Sequence, residues 1–362
     1  MTMAPLAAIA AVSLIVILPF AAVAQERDVA DALLGPLPVR DLYLANNGFF
    51  FFEPEGAKVL DEGAWSFDIH SADSNTFAKS RWISHDLEGD TDRRTGAQTL
   101  GVIRMDEGTT NFLIDGETHR TTISAHRGFG DHLELAVSVP FATIGGGDSD
   151  GFIEHFHSTL RLDDNQRVAI ERNRETVFIR TDDHTYLREH ASGSHIGDIA
   201  ISAKYELPAF EDPDLSLSAQ AAVELPTGSA RSLDGSGSVD GGLQLIATRD
   251  YGRSRLHASA GLLFLGRNAP LALAPQIVIT DSVGISRLVA SRTSATLQLT
   301  VSQSPFRNIG APELSRRSYQ MTVGVQHAFG ASVSAYAGIV ENLITYQNSA
   351  DAGMILGIAR RF

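Results

Sequence analysis

The ten residues from Gly353 to Phe362 alternate apolar with small or polar positions right up to the carboxyl terminus and stop on an aromatic ring. A strand that ends this way leaves a row of unpaired N–H and C=O groups unless it pairs with another strand and closes the sheet. A transmembrane β-barrel provides that closure, because hydrocarbon cannot satisfy an open edge. The ending points to a closed sheet with Phe362 at a membrane interface.

The other end of the chain agrees. Pro5 to Phe20 is an uncharged apolar run, and Ala22-Val23-Ala24 before Gln25 has the small residues of a secretory cleavage site. The expectation is a signal peptide over residues 1–24, cut between Ala24 and Gln25; because no Lys or Arg precedes the apolar run, a retained anchor is the alternative. No other stretch reaches the roughly 18 consecutive apolar residues of a spanning helix, so any membrane crossing is made by strands. The chain has no cysteine, which excludes disulfides, thiolate chemistry and a lipid-bearing Cys behind the signal. Its formal net charge of −14 argues against nucleic acid as a partner.

Strands are read from period two. Leu133, Leu135, Val137, Val139 and Phe141 oppose His132, Glu134, Ala136, Ser138 and Pro140; similar sets run through 199–207, 215–225, 295–302 and 319–326. A soluble sandwich also alternates, and loop lengths decide between the two. Short connections at Gly128–Asp131, Pro208–Asp214, Asp250–Arg253, Ser291–Thr293 and Gly330–Ala331 alternate strictly with longer ones. The longer set is Ala78–Gly108, Ile144–His195, Pro226–Ser238, Gly266–Pro270, Ser304–Arg317 and Thr345–Ala350. Tight periplasmic turns and long extracellular loops are the asymmetry of an outer-membrane barrel. The fold expected is all-β: an antiparallel transmembrane β-barrel of about twelve strands over residues 63–362.

Two segments fall outside the alternation. Residues 25–62 hold Gly35-Pro36-Leu37-Pro38-Val39-Arg40 and the run Phe49-Phe50-Phe51-Phe52. Four adjacent aromatics need covering, so this segment lies under the periplasmic rim or inside the barrel as a plug. Within the long extracellular loop over 144–195, residues 151–160 have the spacing of a short amphipathic helix, and 176–187 of an extra hairpin.

Gly357, Ile358 and Phe362 resemble the carboxy-terminal assembly signal of bacterial outer-membrane barrels, from which Arg360 departs. That resemblance implies the barrel assembly machinery as a partner, with outer-membrane lipid and lipopolysaccharide around the finished barrel. Gly35–Arg40, Asp150–Leu160, Gly197-Asp198 and Leu225-Pro226-Thr227-Gly228 together resemble the bacterial outer-membrane family called domain of unknown function 3187. The resemblance covers most of the mature chain and implies a barrel in the outer membrane of a Gram-negative bacterium, with no established activity. The last two motifs recur in wider outer-membrane families, including transporters linked to aromatic-compound degradation.

Catalytic and metal readings are weak. Gly147-Asp148-Ser149-Asp150-Gly151 matches G-x-S-x-G, but the hydrolase elbow needs a parallel sheet, and a Gly/Asp turn explains these residues. His257 and Ser259 share a strand face, yet it is the lumen face, away from lipid. His155 and His157 lie two apart on the expected helix and do not converge on a metal. No catalytic residue, cofactor or metal site is assigned.

By alternation, Arg120, His126, Glu134, Asp198, Lys204, Glu206, Gln220, Glu224, Asp240, Gln244 and His257 face inward. Charges of both signs there either pair and close the lumen or line a path for a small solute. The functional expectation is a passive channel or transporter for a small, hydrophobic or other, solute. The alternatives are a lipid-modifying hydrolase and a closed structural or adhesive barrel.

Overall fold

The computed structural model describes residues 33–87, 110–148, 150–151, 167–181, 183–189, 193–208, 212–344 and 347–362. The signal peptide with its Ala24/Gln25 cleavage site, and all but the first residue of the helix expected over 151–160, lie outside these residues. Among the described residues the strands are β1 (Trp65–Lys79), β2 (Asn111–Phe129), β3 (Leu133–Gly145), β4 (Thr176–Arg180), β5 (Thr185–Glu189) and β6 (Ser194–Ile196). They continue with β7 (Ile199–Glu206), β8 (Leu215–Leu225), β9 (Asp240–Tyr251), β10 (Ser254–Leu265) and β11 (Gln276–Ala290). The last are β12 (Thr293–Ser302), β13 (Ser318–Ala328), β14 (Val333–Asn342) and β15 (Ala352–Arg361).

Twelve of them close a ring. β1, β2 and β3 continue through β7 to β15, each antiparallel to the next, and β15 pairs with β1 from Ser66↔Arg361 to Asn75↔Ala352. At the seam the Phe362 N–H donates to the Trp65 carbonyl at 2.9 Å and the Trp65 N–H returns to Phe362 at 3.3 Å. The terminal residue is therefore paired, and Phe362 sets its ring edge-on to Phe67, which stacks on Trp65. The three strands outside the ring stand at the long-loop end: β4 and β5 form a hairpin on β2, and β6 adds to β3.

Burial follows the alternation. On β10, Leu256, Ala258, Ala260, Leu262 and Phe264 are exposed while His257, Gly261, Leu263 and Leu265 are buried. The exposed set is the lipid face, since a ring whose outside is a continuous apolar belt is stable only in hydrocarbon. The chain is a transmembrane β-barrel of the outer-membrane type. Boundaries moved where loops carry the sheet onward: β3 runs to Gly145 rather than Phe141, and the Gly266–Pro270 connection extends to residue 275.

Candidate functional site in the barrel lumen

The lumen is occupied by the chain itself. A segment with no strand partner must still satisfy its N–H and C=O groups, and inward-facing side chains do so along the path of residues 33–60. Near the short-turn rim, Ser294 Oγ donates to the Leu33 carbonyl at 2.5 Å, and Ser286 Oγ and Gln326 Nε2 both donate to that of Gly35 at 2.8 Å. Gln298 clamps Leu37 at two points, accepting from its N–H at 2.9 Å and donating to its carbonyl at 3.0 Å. Leu37 fits because β13 and β14 offer Gly324 and Gly338; a Cβ at Gly324 would stand 2.5 Å from Leu37 Cδ1.

The segment then turns under the long loops. Tyr43 Oη donates to the Gln347 carbonyl at 2.9 Å, a 3-10 turn covers Leu44–Asn46, and Asn47 Nδ2 donates to the Leu233 carbonyl at 2.7 Å. The descending leg lays Phe52 on Gly242, where a Cβ would be 2.6 Å from the ring. Ala57 N–H reaches Thr248 Oγ1 at 2.9 Å, Val59 N–H reaches Glu206 at 3.1 Å, and Leu60 N–H reaches Glu134 at 2.9 Å. Both legs thus stand inside the ring.

Ionic groups of the descending leg complete two networks. Lys204 Nζ lies 2.9 Å from Glu55 and 3.1 Å from Glu134, with His126 Nδ1 3.0 Å from the same Glu134 oxygen. Gln220 donates to Glu55 at 2.9 Å, and Gln244 donates to Gln220. Glu55, His126 and Glu134 bring ligand atoms within 4.8 Å of one another. The ammonium of Lys204 already stands between the carboxylates and supplies the cation, so the donor set fits an ion-pair network better than a metal. Higher up, His70 bridges Glu53 at 3.2 Å and Asp68 at 2.7 Å, and Tyr336 Oη donates to Asp68 at 2.8 Å. Arg40 donates to the carbonyls of Asn46 and Phe49, and Arg120 to that of Asn47 at 3.3 Å.

A water-filled path would leave its lining wet. Instead Arg120, Glu134, Lys204, Gln220, Glu224, Gln244, His257, Gln298 and Gln320 are all buried, as are residues 39–52 of the segment. The cavity between Arg40, Asn47 and Arg120 is about one water in size.

Of the inward residues expected from sequence, Arg120, His126, Glu134, Lys204, Glu206 and Gln220 meet the segment directly or through a shared partner, and Gln244 meets it through Gln220. Glu224 is buried within the field of Arg40 and Arg120. The carboxylates of Asp198 and Asp240 bond the outer loops rather than the segment. Asp198 accepts from Gly228 N–H at 2.7 Å and Ser236 N–H at 2.8 Å, and Asp240 from Gly266 N–H at 2.7 Å. Thr227 Oγ1 also donates to the Gly197 carbonyl at 2.8 Å, so the Gly-Asp and Leu-Pro-Thr-Gly motifs interlock as a loop staple.

His257 faces Ser286 Oγ at 3.4 Å, while Ser259 pairs with Ser282 at 2.8 Å, so the two do not form a catalytic couple. In the Gly147–Gly151 turn, Asp150 is bound by Arg167 at 2.7 Å and by the Asn173 N–H at 2.7 Å. The sequence reading missed Gln298, His70 and the acids Glu53 and Glu55. Gln298 lies on the inward side of a strand whose alternation was read, and that parity was the available signal.

The sequence pattern of the family described as "Protein of unknown function (DUF3187)" matches residues 12–362. No curated protein matches the chain. The COG4313 outer membrane channel from Pseudomonas putida F1 is similar over 86% of this chain and 100% of that one, with a TM-score of 0.53 at 12% identity. The Ralstonia pickettii toluene transporter TbuX is similar over 91% of this chain and 99% of that one, with a TM-score of 0.40 at 12% identity. At such identities the first likeness shows a shared fold, and the second is too distant to carry an argument.

Proposed function

The chain belongs to the DUF3187 family, and we propose that it is an outer-membrane channel or transporter for a small solute, closed at rest by its own residues 33–60 acting as a plug. The observation that carries this reading is the pairing of the segment's backbone with inward side chains from Leu33 to Leu60. A twelve-strand ring leaves central space that side chains alone fill incompletely, and the segment takes up that space. The segment joins β1 through Leu60–Ala64, and in this reading it leaves the lumen while the ring stays intact. A channel of the same fold supports the reading.

The test is single-channel recording in planar bilayers of the mature protein and of a variant lacking residues 28–52. Small, rare steps are expected from the first and larger, sustained ones from the second. If the shortened barrel assembles in heat-modifiable form but conducts no better, the plug is a structural core, and a closed structural barrel is the reading that remains.

A further inference from the structure

The outward face of β1 and β2 departs from the apolar belt. Eight residues from the short-turn end, the outward residue is Phe141 on β3, Val223 on β8 and Leu262 on β10; on β1 it is Asp73 and on β2 it is Thr121. A strand tilted by about 40° climbs roughly 2.5 Å per residue, which sets this level about 20 Å above the inner rim of a belt about 25 Å tall. That is the outer leaflet, near its ester layer.

The register brings four polar side chains together there. Asp73 pairs with His119 and Ser71 with Thr121 across β1 and β2. His119 Nδ1 is hydrogen-bonded to Asp73 Oδ1, while Nε2 faces Thr121 Oγ1 at 3.4 Å; Thr121 Oγ1 is 2.6 Å from Ser71 Oγ. The His119 and Asp73 side chains are 42% and 48% exposed. Next above them the register pairs Asn75 with Glu117, and beyond that pair Ile83 and Leu87, from helix α1 (Arg81–Asp86) and its end, pack with Ala169 and Ile170 on Phe77, Leu113 and Phe178. They form a buried apolar ledge beneath the long loops. Asp281 and Glu341 interrupt the belt as single outward carboxylates, whereas here a carboxylate, an imidazole and two hydroxyls converge.

Ionisable groups on a lipid face are costly and mark function. An imidazole held by a carboxylate on one nitrogen and facing a hydroxyl with the other is a nucleophile, its base and the acid that orients the base. We propose that Thr121, His119 and Asp73 form a second site, on the outer wall, that hydrolyses an acyl ester of an outer-leaflet lipid. This site is separate from the plugged lumen, on the other face of the sheet.

With Nδ1–H donated to Asp73, His119 Nε2 is free to take the Thr121 proton as Oγ1 attacks the ester carbonyl carbon. Ser71 Oγ–H lies close enough to donate to the oxyanion that forms. The carbon–oxygen ester bond breaks, and His119 returns the proton to the leaving alcohol. Water then attacks the acyl-threonine; His119 takes its proton, the fatty acid leaves, and Thr121 recovers its hydroxyl. Asp73 acts through His119 and is a positioning residue.

The test presents the purified, folded mature protein with a diacyl phosphatidylethanolamine and, separately, with lipopolysaccharide, and measures fatty acid released. Release from one of them is expected, falling about 100-fold or more in His119→Ala and Thr121→Val and persisting in Thr121→Ser. Asp73→Asn should lower kcat with KM unchanged. A fluorophosphonate should label Thr121 in the parent protein but not in His119→Ala, and Thr121→Val should leave channel conductance as it was. No fatty acid from either lipid, or release that survives both His119→Ala and Thr121→Val in heat-modifiable barrels, overturns the proposal.

Discussion

The two ends of the lumen are closed by different physics. Toward the long loops, Phe49 to Phe52 join Phe112, Ile114, Val177, Leu265, Leu271, Phe306 and Leu314 in one buried apolar cluster, with Phe49 edge-on to Phe306 at 6.0 Å. Toward the short turns the same segment is held by Gln298, by Lys204 with Glu55 and Glu134, and by Glu206. Burying a Phe side chain stabilises by roughly 1.5–3 kcal/mol, and water offers no substitute for that contact. A hydrogen bond is worth roughly 0.5–1.5 kcal/mol net, because water replaces the lost partner. The inner end can loosen one contact at a time, while the outer end releases as a unit. The cap therefore governs how long the closed state lasts, and the polar legs govern where the segment sits.

Substitutions at the two ends can break that contrast. The largest effect is expected from Phe49→Ala, which removes an anchor of the cap at a cost of roughly 3–5 kcal/mol. It should lengthen open dwell times in bilayers, and unchanged dwell times would show that the cap does not hold the closed state. Next, Lys204→Met leaves Glu55 and Glu134 facing each other without their cation, at a cost of about 3 kcal/mol. It should lower the temperature at which the barrel loses heat-modifiability and produce brief, frequent openings; long openings would make the two ends equivalent.

Gln298→Ala is expected to cost about 1–2 kcal/mol, since both Leu37 backbone groups lose their partner. Brief openings should increase modestly. A change as large as that of Phe49→Ala would mean that the clamp, rather than the cap, sets closure.

The smallest effect concerns a charge beside the outer end. Burial pushes the Asp351 carboxyl up to about 6, against the lowering effect of Arg167, which donates to it at 2.6 Å. An acid whose folded pKa is raised gives stability that is full below its unfolded value and is lost as pH rises through about 6. The effect is on the order of 1 kcal/mol after discounting for partial exposure. Limited proteolysis of the outer loops should be slower at pH 5 than at pH 7.5, and Asp351→Asn should remove the difference. A parent protein cut equally at both values would show that the loops do not sense this charge.

Much of the barrel was legible because a strand writes its environment at every second residue. The parity that put Leu256 and Leu262 toward lipid also put His257 and Gln244 inward, and the structure keeps both assignments. Parity did not reveal what a side chain touches. Asp198 and Asp240 face inward as read but tie down loops, because only the folded chain brings Gly228 and Gly266 to them. The outer-wall group was half visible: with Arg120 inward, His119 and Thr121 must point outward, while Asp73 joins them through strand register alone.

The sequence by itself determined the strands, their lipid and lumen faces and the alternation of short and long connections, since these follow from period two and local turn chemistry. Tertiary structure alone decided the path of residues 33–60, because a segment without periodicity takes its conformation from the partners it finds. It also decided which charges pair across the lumen and which polar residues meet on the outer wall. Those contacts join Leu37 to Gln298 and Glu55 to Lys204 across the lumen, and Asp73 to His119 through the pairing of β1 with β2, residues far apart in the chain that only the folded sheet makes neighbours.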